Sequence, residues 1–180
     1  MVQRGKSFSF IIFLFFIPFL LWIILQFFAP IFLPNNSIND LSGIVGVLDN
    51  EETTEKMQFP INIVYSCGDR LCHQKAERSF FINGNQMPFC SRCTAIWLGL
   101  TIGLGFMVFY KIVLDEKFLI LILIGFVPIA VDGVGQLLHI WESTNIVRLI
   151  TGLLIGIVTG LAIGIIIDEL IDLKRKKVES

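Results

Sequence analysis

Charge is scarce in this sequence, and it is missing altogether from long stretches where a soluble domain would need it. Charged residues make up 16% of the 180 residues, against roughly 25% in an ordinary soluble domain. No Asp, Glu, Lys or Arg occurs over residues 7–39, 93–110, 118–131 or 149–167. A globule of this size must spread polar groups over its whole surface, so a soluble globule is excluded. A disordered chain is excluded by the same apolar content. Basic residues form no patch beyond Lys174-Arg175-Lys176-Lys177, so nucleic acid is excluded as a partner. The chain also lacks a glycine-rich phosphate loop, a hydrolase nucleophile elbow and any internal repeat. What remains is a polytopic protein whose main solvent is the lipid bilayer.

The expected fold is an all-α membrane protein: four transmembrane helices, with a Cys/His-containing loop domain between helices 1 and 2. The first span runs from about Phe8 to Leu33 and holds nine of the 17 phenylalanines. It is long enough to cross a hydrocarbon core of roughly 30 Å. Its length and the lack of a small-x-small cleavage site distinguish it from a secretory signal, so it reads as an uncleaved anchor. Pro18 should kink it, and Pro30 and Pro34 should end it. The other spans run from about Thr94 to Val113, Phe118 to Ile140 and Ile146 to Ile167, with a tight turn expected at Asp115-Glu116. The organisation is then an N-terminal tail and helix 1 over 1–33, an outward loop over 34–93, helices 2–4 over 94–167 and a charged tail over 168–180.

Four spans put both termini on one side. Arg4, Lys6, Lys111, Lys117 and the tail cluster share that side, and the positive-inside rule makes it cytoplasmic. The expected location is therefore the cell membrane, multi-pass, with both termini cytoplasmic. Five Lys or Arg between Pro34 and Arg92 compete with this reading, and the tail decides it. Asp168, Glu169 and Asp172 read as a solvated helix end.

In the fourth span Gly152, Gly156, Gly160 and Gly164 recur every four residues, on one helix face, and Gly99 and Gly103 repeat the pattern in the second. Such a groove lets another backbone approach closely. Packing within the bundle is one use, and a homo-oligomer seam is the alternative.

The loop begins with a polar, acidic connector. Asn35-Asn36-Ser37 there fits a glycosylation acceptor. From Pro60 onward the character changes: all four cysteines and one of the two histidines fall within 27 residues. Asn83-Gly84 between apolar stretches reads as a hairpin turn that brings the flanking cysteine pairs together. The spacing, Cys67-x4-Cys72-His73 and later Cys90-x2-Cys93, suits two knuckles of a tetrahedral zinc site. In an outward compartment the same pairs suit disulfides, Cys67–Cys72 and Cys90–Cys93, or a redox function.

At these residues the chain resembles a family of prokaryotic membrane proteins known as domain of unknown function 2085. The likeness rests on Cys72-His73-Gln74, Arg78-Ser79-Phe80 and Cys90-Ser91-Arg92-Cys93. It extends more loosely through Asp132, Gln136, Glu142, Asn145, Arg148 and Thr151-Gly152. The family usually has glycine where this chain has Ala95, and Cys67 lies outside its usual core. The resemblance implies a site of Cys72, Cys90 and Cys93 with a histidine as fourth ligand, His73 before His139. It implies no activity.

The topology gathers polar residues at the outer face. Asp132, Gln136 and His139 share one face of the third helix. A carboxylate at the depth of Asp132 costs a few kcal/mol or more unless paired or hydrated, and Arg148 is the expected partner. Asp132, Glu142, His139 and Arg148 are the candidate catalytic groups. Two function classes follow: a membrane protein with an outer-face zinc site, or a membrane thiol–disulfide oxidoreductase using the paired cysteines. An accessory-subunit role is a third. Absence of inverted repeats argues against an autonomous transporter.

Overall fold

A computed structural model describes residues 2–3 and 8–179; Arg4 and Lys6, two of the topology signals, lie outside the described residues. Four helices are long and apolar enough to cross a membrane. They are α1 (Phe10–Phe28, continued by a 3-10 turn at Ala29–Ile31), α4 (Ser91–Phe109), α5 (Glu116–Leu137) and α6 (Asn145–Glu179). Between α1 and α4 lies a small domain with α2 (Glu51–Glu55), α3 (Ile61–Leu71) and a hairpin of β2 (Phe81–Ile82) with β3 (Asn85–Gln86). The four-span, all-α architecture expected from the charge pattern is present.

The centre of the bundle is the parallel pair α4 and α6. A Cβ on Gly156 would lie 2.4 Å from the Ile96 carbonyl oxygen, and one on Gly103 2.4 Å from that of Ile157. The two glycine stripes thus let the backbones touch, and both stripes are engaged within a single chain. Helix α1 runs antiparallel along α4, with Trp22 and Phe19 against Trp97 at ring-centroid distances of 6.1 and 6.0 Å. Helix α5 lies against α6 and leaves most of its apolar face open to lipid.

At one end of the bundle, β1 (Val2–Gln3) pairs antiparallel with β4 (Lys111–Ile112), and Lys111 forms an ion pair with Asp172. The start of the chain, the α4–α5 link and the last turns of α6 therefore share one end. Asp172 holds the Lys111 ammonium above its ordinary pKa by accepting its hydrogen bond. Two expectations are corrected here. Residues 168–179 form the end of α6, but Asp168 there is buried, not solvated. The link at Asp115-Glu116 is a capped helix start, in which the Asp115 carboxylate accepts the Phe118 N–H at 2.8 Å.

The loop is more ordered than a connector. Val64, Tyr65, Gly68 and Asp69 are buried along α3, at the spacing of one helical face. A Cβ on Gly68 would collide with the Pro88 carbonyl, so α3 lies directly on the segment leading to Cys90. The buried Asp69 accepts from the backbone and side chain of Asn50 at 2.9 and 2.8 Å, which fixes the start of α2. The hairpin turn at Asn83-Gly84 has φ of 55° and 69°, the conformation that an Asn-Gly turn favours. Asn85, fully buried, clamps the hairpin to the end of α1: it donates to Pro30 and Pro34 carbonyls and accepts from Ser37 and Ile38 N–H groups.

Candidate metal centre

Two knuckles meet beneath this hairpin. The first is formed where α3 stops. Cys72 turns extended, and Gln74 adopts a positive φ of 43° that reverses the chain. That conformation is unfavourable for a non-glycine residue. It is held by the Gln74 side chain, which donates to the Pro88 carbonyl at 2.7 Å, and by the Gln86 amide, which donates to the Gln74 carbonyl. The second knuckle is the head of α4, where Cys90 is the residue before the helix and Cys93 lies in its first turn.

The sulfurs of Cys72, Cys90 and Cys93 all lie within 4.8 Å of one another, and all four cysteines are free thiols. The Cys90 N–H donates to the Cys72 sulfur at 3.4 Å, a bond that favours thiolate over thiol. Cys90 itself is held far below the ordinary thiol range, because the Cys72 and Cys93 thiols and the Arg92 and Cys93 N–H groups all donate toward its sulfur. Cys72 is shifted the other way, chiefly because its thiol donates a hydrogen bond to the Cys90 sulfur. One side of the cluster is dry: Trp22, Val64 and Phe89 pack against the cysteines.

The other side opens into a cavity of about 350 Å³, whose walls include His73, Lys75, Arg78, Arg92, Gln136 and Arg148. The wall is braced by a polar network. Asp132, 4% exposed, pairs with Arg92 and accepts from Gln136 (3.1 Å) and Trp141 (3.4 Å). Arg148, 5% exposed, donates to Gln136 and Asn145, each at 3.2 Å. The Ser91 hydroxyl reaches the Arg78 carbonyl and the Asn145 side-chain oxygen, both at 3.0 Å. The loop, α4, α5 and α6 are thereby joined at one level.

The expected Asp132–Arg148 clasp is thus replaced by an Arg92–Asp132 pair, with Gln136 linking Arg148 to it. Arg92 sits at the head of α4, at the same height as Asp132. His73 lines the cavity but its ring is not part of the sulfur cluster, and Cys67 packs into the apolar floor. His139 lies beyond the end of α5, exposed, with φ of 56°. Glu142 is also exposed, on the α5–α6 link. Neither lines the cavity. Sequence reasoning did not foresee that Lys75, Arg78, Arg92 and Arg148 share one cavity, although Arg78 and Arg92 belong to motifs it had singled out.

The chain is 37% identical over 107 residues to an uncharacterised protein of Methanocaldococcus jannaschii, covering 58% of this chain and 69% of that one. It is 38% identical over 91 residues to an uncharacterised protein of Methanothermobacter thermautotrophicus, covering 48% of this chain and 78% of the other. No solved structure matches. The family model described as a predicted membrane protein, domain of unknown function 2085, matches residues 72–166, a segment that begins at the first clustered cysteine and ends within α6. The chain belongs to this family of membrane proteins.

Proposed function

We propose that the protein binds one zinc ion at the outer membrane face, with Cys72, Cys90 and Cys93 as thiolate ligands. The observation that carries this is the convergence of three sulfurs from two knuckles, within 4.8 Å of one another. A tetrahedral zinc thiolate site needs sulfurs about 3.7 Å apart, so the cluster needs little contraction. A cation also offsets the repulsion between three deprotonated sulfurs. The fourth position faces the cavity. His73, adjacent to Cys72 on the cavity wall, is the ligand that the chain itself offers; with His73 turned away, the position is open to water or a bound ligand. Asp132 serves as the anchor of Arg92.

Elemental analysis of protein purified under reducing conditions tests the reading. The expected result is close to one zinc per chain, falling to near zero in Cys72→Ser and Cys93→Ser but not in Cys67→Ser. A metal-free wild-type chain that takes up no added zinc overturns it. His73→Ala retaining one zinc with weaker affinity assigns His73 to the site, and unchanged affinity leaves the fourth position to an external ligand.

A second reading, a thiol–disulfide oxidoreductase, is favoured by the stabilised Cys90 thiolate at the head of α4. Thiol trapping in redox buffers separates the two: a Cys90–Cys93 disulfide forming reversibly supports the redox reading, and cysteines that never oxidise end it.

A further inference from the structure

The cavity in front of the cysteines carries a charge imbalance that the zinc site does not remove. Lys75, Arg78, Arg92 and Arg148 all line it. Against them stands one buried carboxylate, Asp132, already committed to Arg92. Glu77 approaches Arg78 at 3.7 Å, but both groups are well exposed and such a pair is weak. Lys75 has no ion pair among the described residues. Arg148 is almost fully buried, yet its hydrogen bonds go to the neutral side chains of Asn145 and Gln136. Arg78 and Arg92 repel its charge, while Asp132 and Cys90 attract it from beyond ion-pair distance. The buried Arg92 Nε has no acceptor among the described residues. Three thiolates around a divalent zinc carry one net negative charge, too few to balance the wall.

Backbone dipoles add to the imbalance. Helices α4 and α6 are parallel and both begin at this cavity, so both positive helix ends point the same way. Buried, uncompensated guanidinium groups are costly, and arginine forks match the oxygens of phosphate. The volume of about 350 Å³ exceeds that of one phosphate group and leaves room for an organic substituent.

We propose that this cavity binds a phosphate-bearing anion, a phosphate ester or phospholipid headgroup, held by Lys75, Arg78, Arg92 and Arg148. The proposal rests on the zinc reading only for what lies at the cavity floor. The cations and helix ends stand without it.

The test uses the full chain, loaded with zinc and purified in a neutral detergent. Titration calorimetry with inorganic phosphate should show saturable binding that weakens as salt is raised. Arg148→Gln should weaken it at least tenfold, with zinc content unchanged. Lys75→Gln, at a partly exposed loop position that poses no threat to folding, should weaken it several-fold. Lys174→Gln, exposed on α6 at the opposite end of the bundle, should leave it unchanged. Native mass spectrometry distinguishes the sources: an anionic phospholipid retained by the wild type and lost in Lys75→Gln identifies a headgroup, while binding of free phosphate alone identifies a soluble ester. Neither free phosphate nor a retained phospholipid, or binding indifferent to both variants, overturns the proposal. Phosphate binding by a chain that takes up no zinc would sink the metal reading and leave this one standing. Zinc at one per chain without anion binding would do the reverse.

Discussion

At the scale of single residues, Arg92 and Asp132 decide the architecture of the site. Each is a charge near the membrane boundary, and removing one leaves the other without its partner, in the case of Asp132 almost fully buried. The double-mutant cycle Arg92→Ala with Asp132→Ala should therefore give a coupling of about 1–3 kcal/mol in unfolding measurements, with the double variant losing less than the sum of the singles. Asp132 with Arg148, hydrogen-bonded to each other only through Gln136, should give less than half that coupling. Equal couplings would mean that the carboxylate does not discriminate between the two arginines. The cysteine knuckles were legible in sequence because their spacing is local, and so was the hairpin, because Asn83-Gly84 states its own backbone conformation. The Arg92–Asp132 pair was not. It joins residues 40 positions apart, and nothing along the chain ranks Arg92 above Arg148 as a partner for a carboxylate on a third helix.

Among the elements, the contact between α4 and α6 is the one that leaves least freedom. Gly156 and Gly160 have no space for a methyl group, since a Cβ at either would lie 2.4 Å from a backbone oxygen of α4. Gly156→Ala must push the helices apart, at a cost of about 1–3 kcal/mol. A larger residue should also disturb the site, because both helices begin at the cavity. Gly133, in α5, has nothing within 4 Å of its would-be Cβ, so Gly133→Ala should be neutral or slightly stabilising. Thermal unfolding of the two variants in one detergent measures the contrast, and equal loss in both would refute close packing at Gly156. The spacing of these glycines was plain in the sequence, but which helix lay across them was not, since a periodic groove specifies closeness and not its occupant. Helix α3 was missed for a related reason. Its buried face of Val64, Tyr65, Gly68 and Asp69 includes a glycine and a carboxylate, so the apolar period is broken in sequence and completed only by Pro88 and Asn50 in space.

For the whole molecule, the remaining question is which end faces the cell interior, and the fold sharpens the argument. The loop between α1 and α4 seemed to weaken the positive-inside reading by its basic residues. Two of them, Lys75 and Arg78, line the cavity, as does Arg92 at the head of α4, where it is ion-paired. If they hold the proposed anion, they count for less as topology signals. At the opposite end Lys174, Arg175 and Lys176 project from α6 with exposed side chains, on the side where β1 pairs with β4. The positive-inside rule predicts that end in the cytoplasm and the cysteine cavity outside. Single cysteines introduced at Glu52, exposed on α2, and Lys174 test this in a Cys67→Ser background, with the unmodified background as the baseline. In intact cells a membrane-impermeant maleimide should label Glu52→Cys and leave Lys174→Cys unreacted until the membrane is permeabilised. The opposite pattern would invert the molecule and move the proposed zinc and anion sites to the cytoplasmic face without altering their geometry. Labelling of both positions from one side would contradict the four-span arrangement itself, because an odd number of crossings separates α2 from the end of α6.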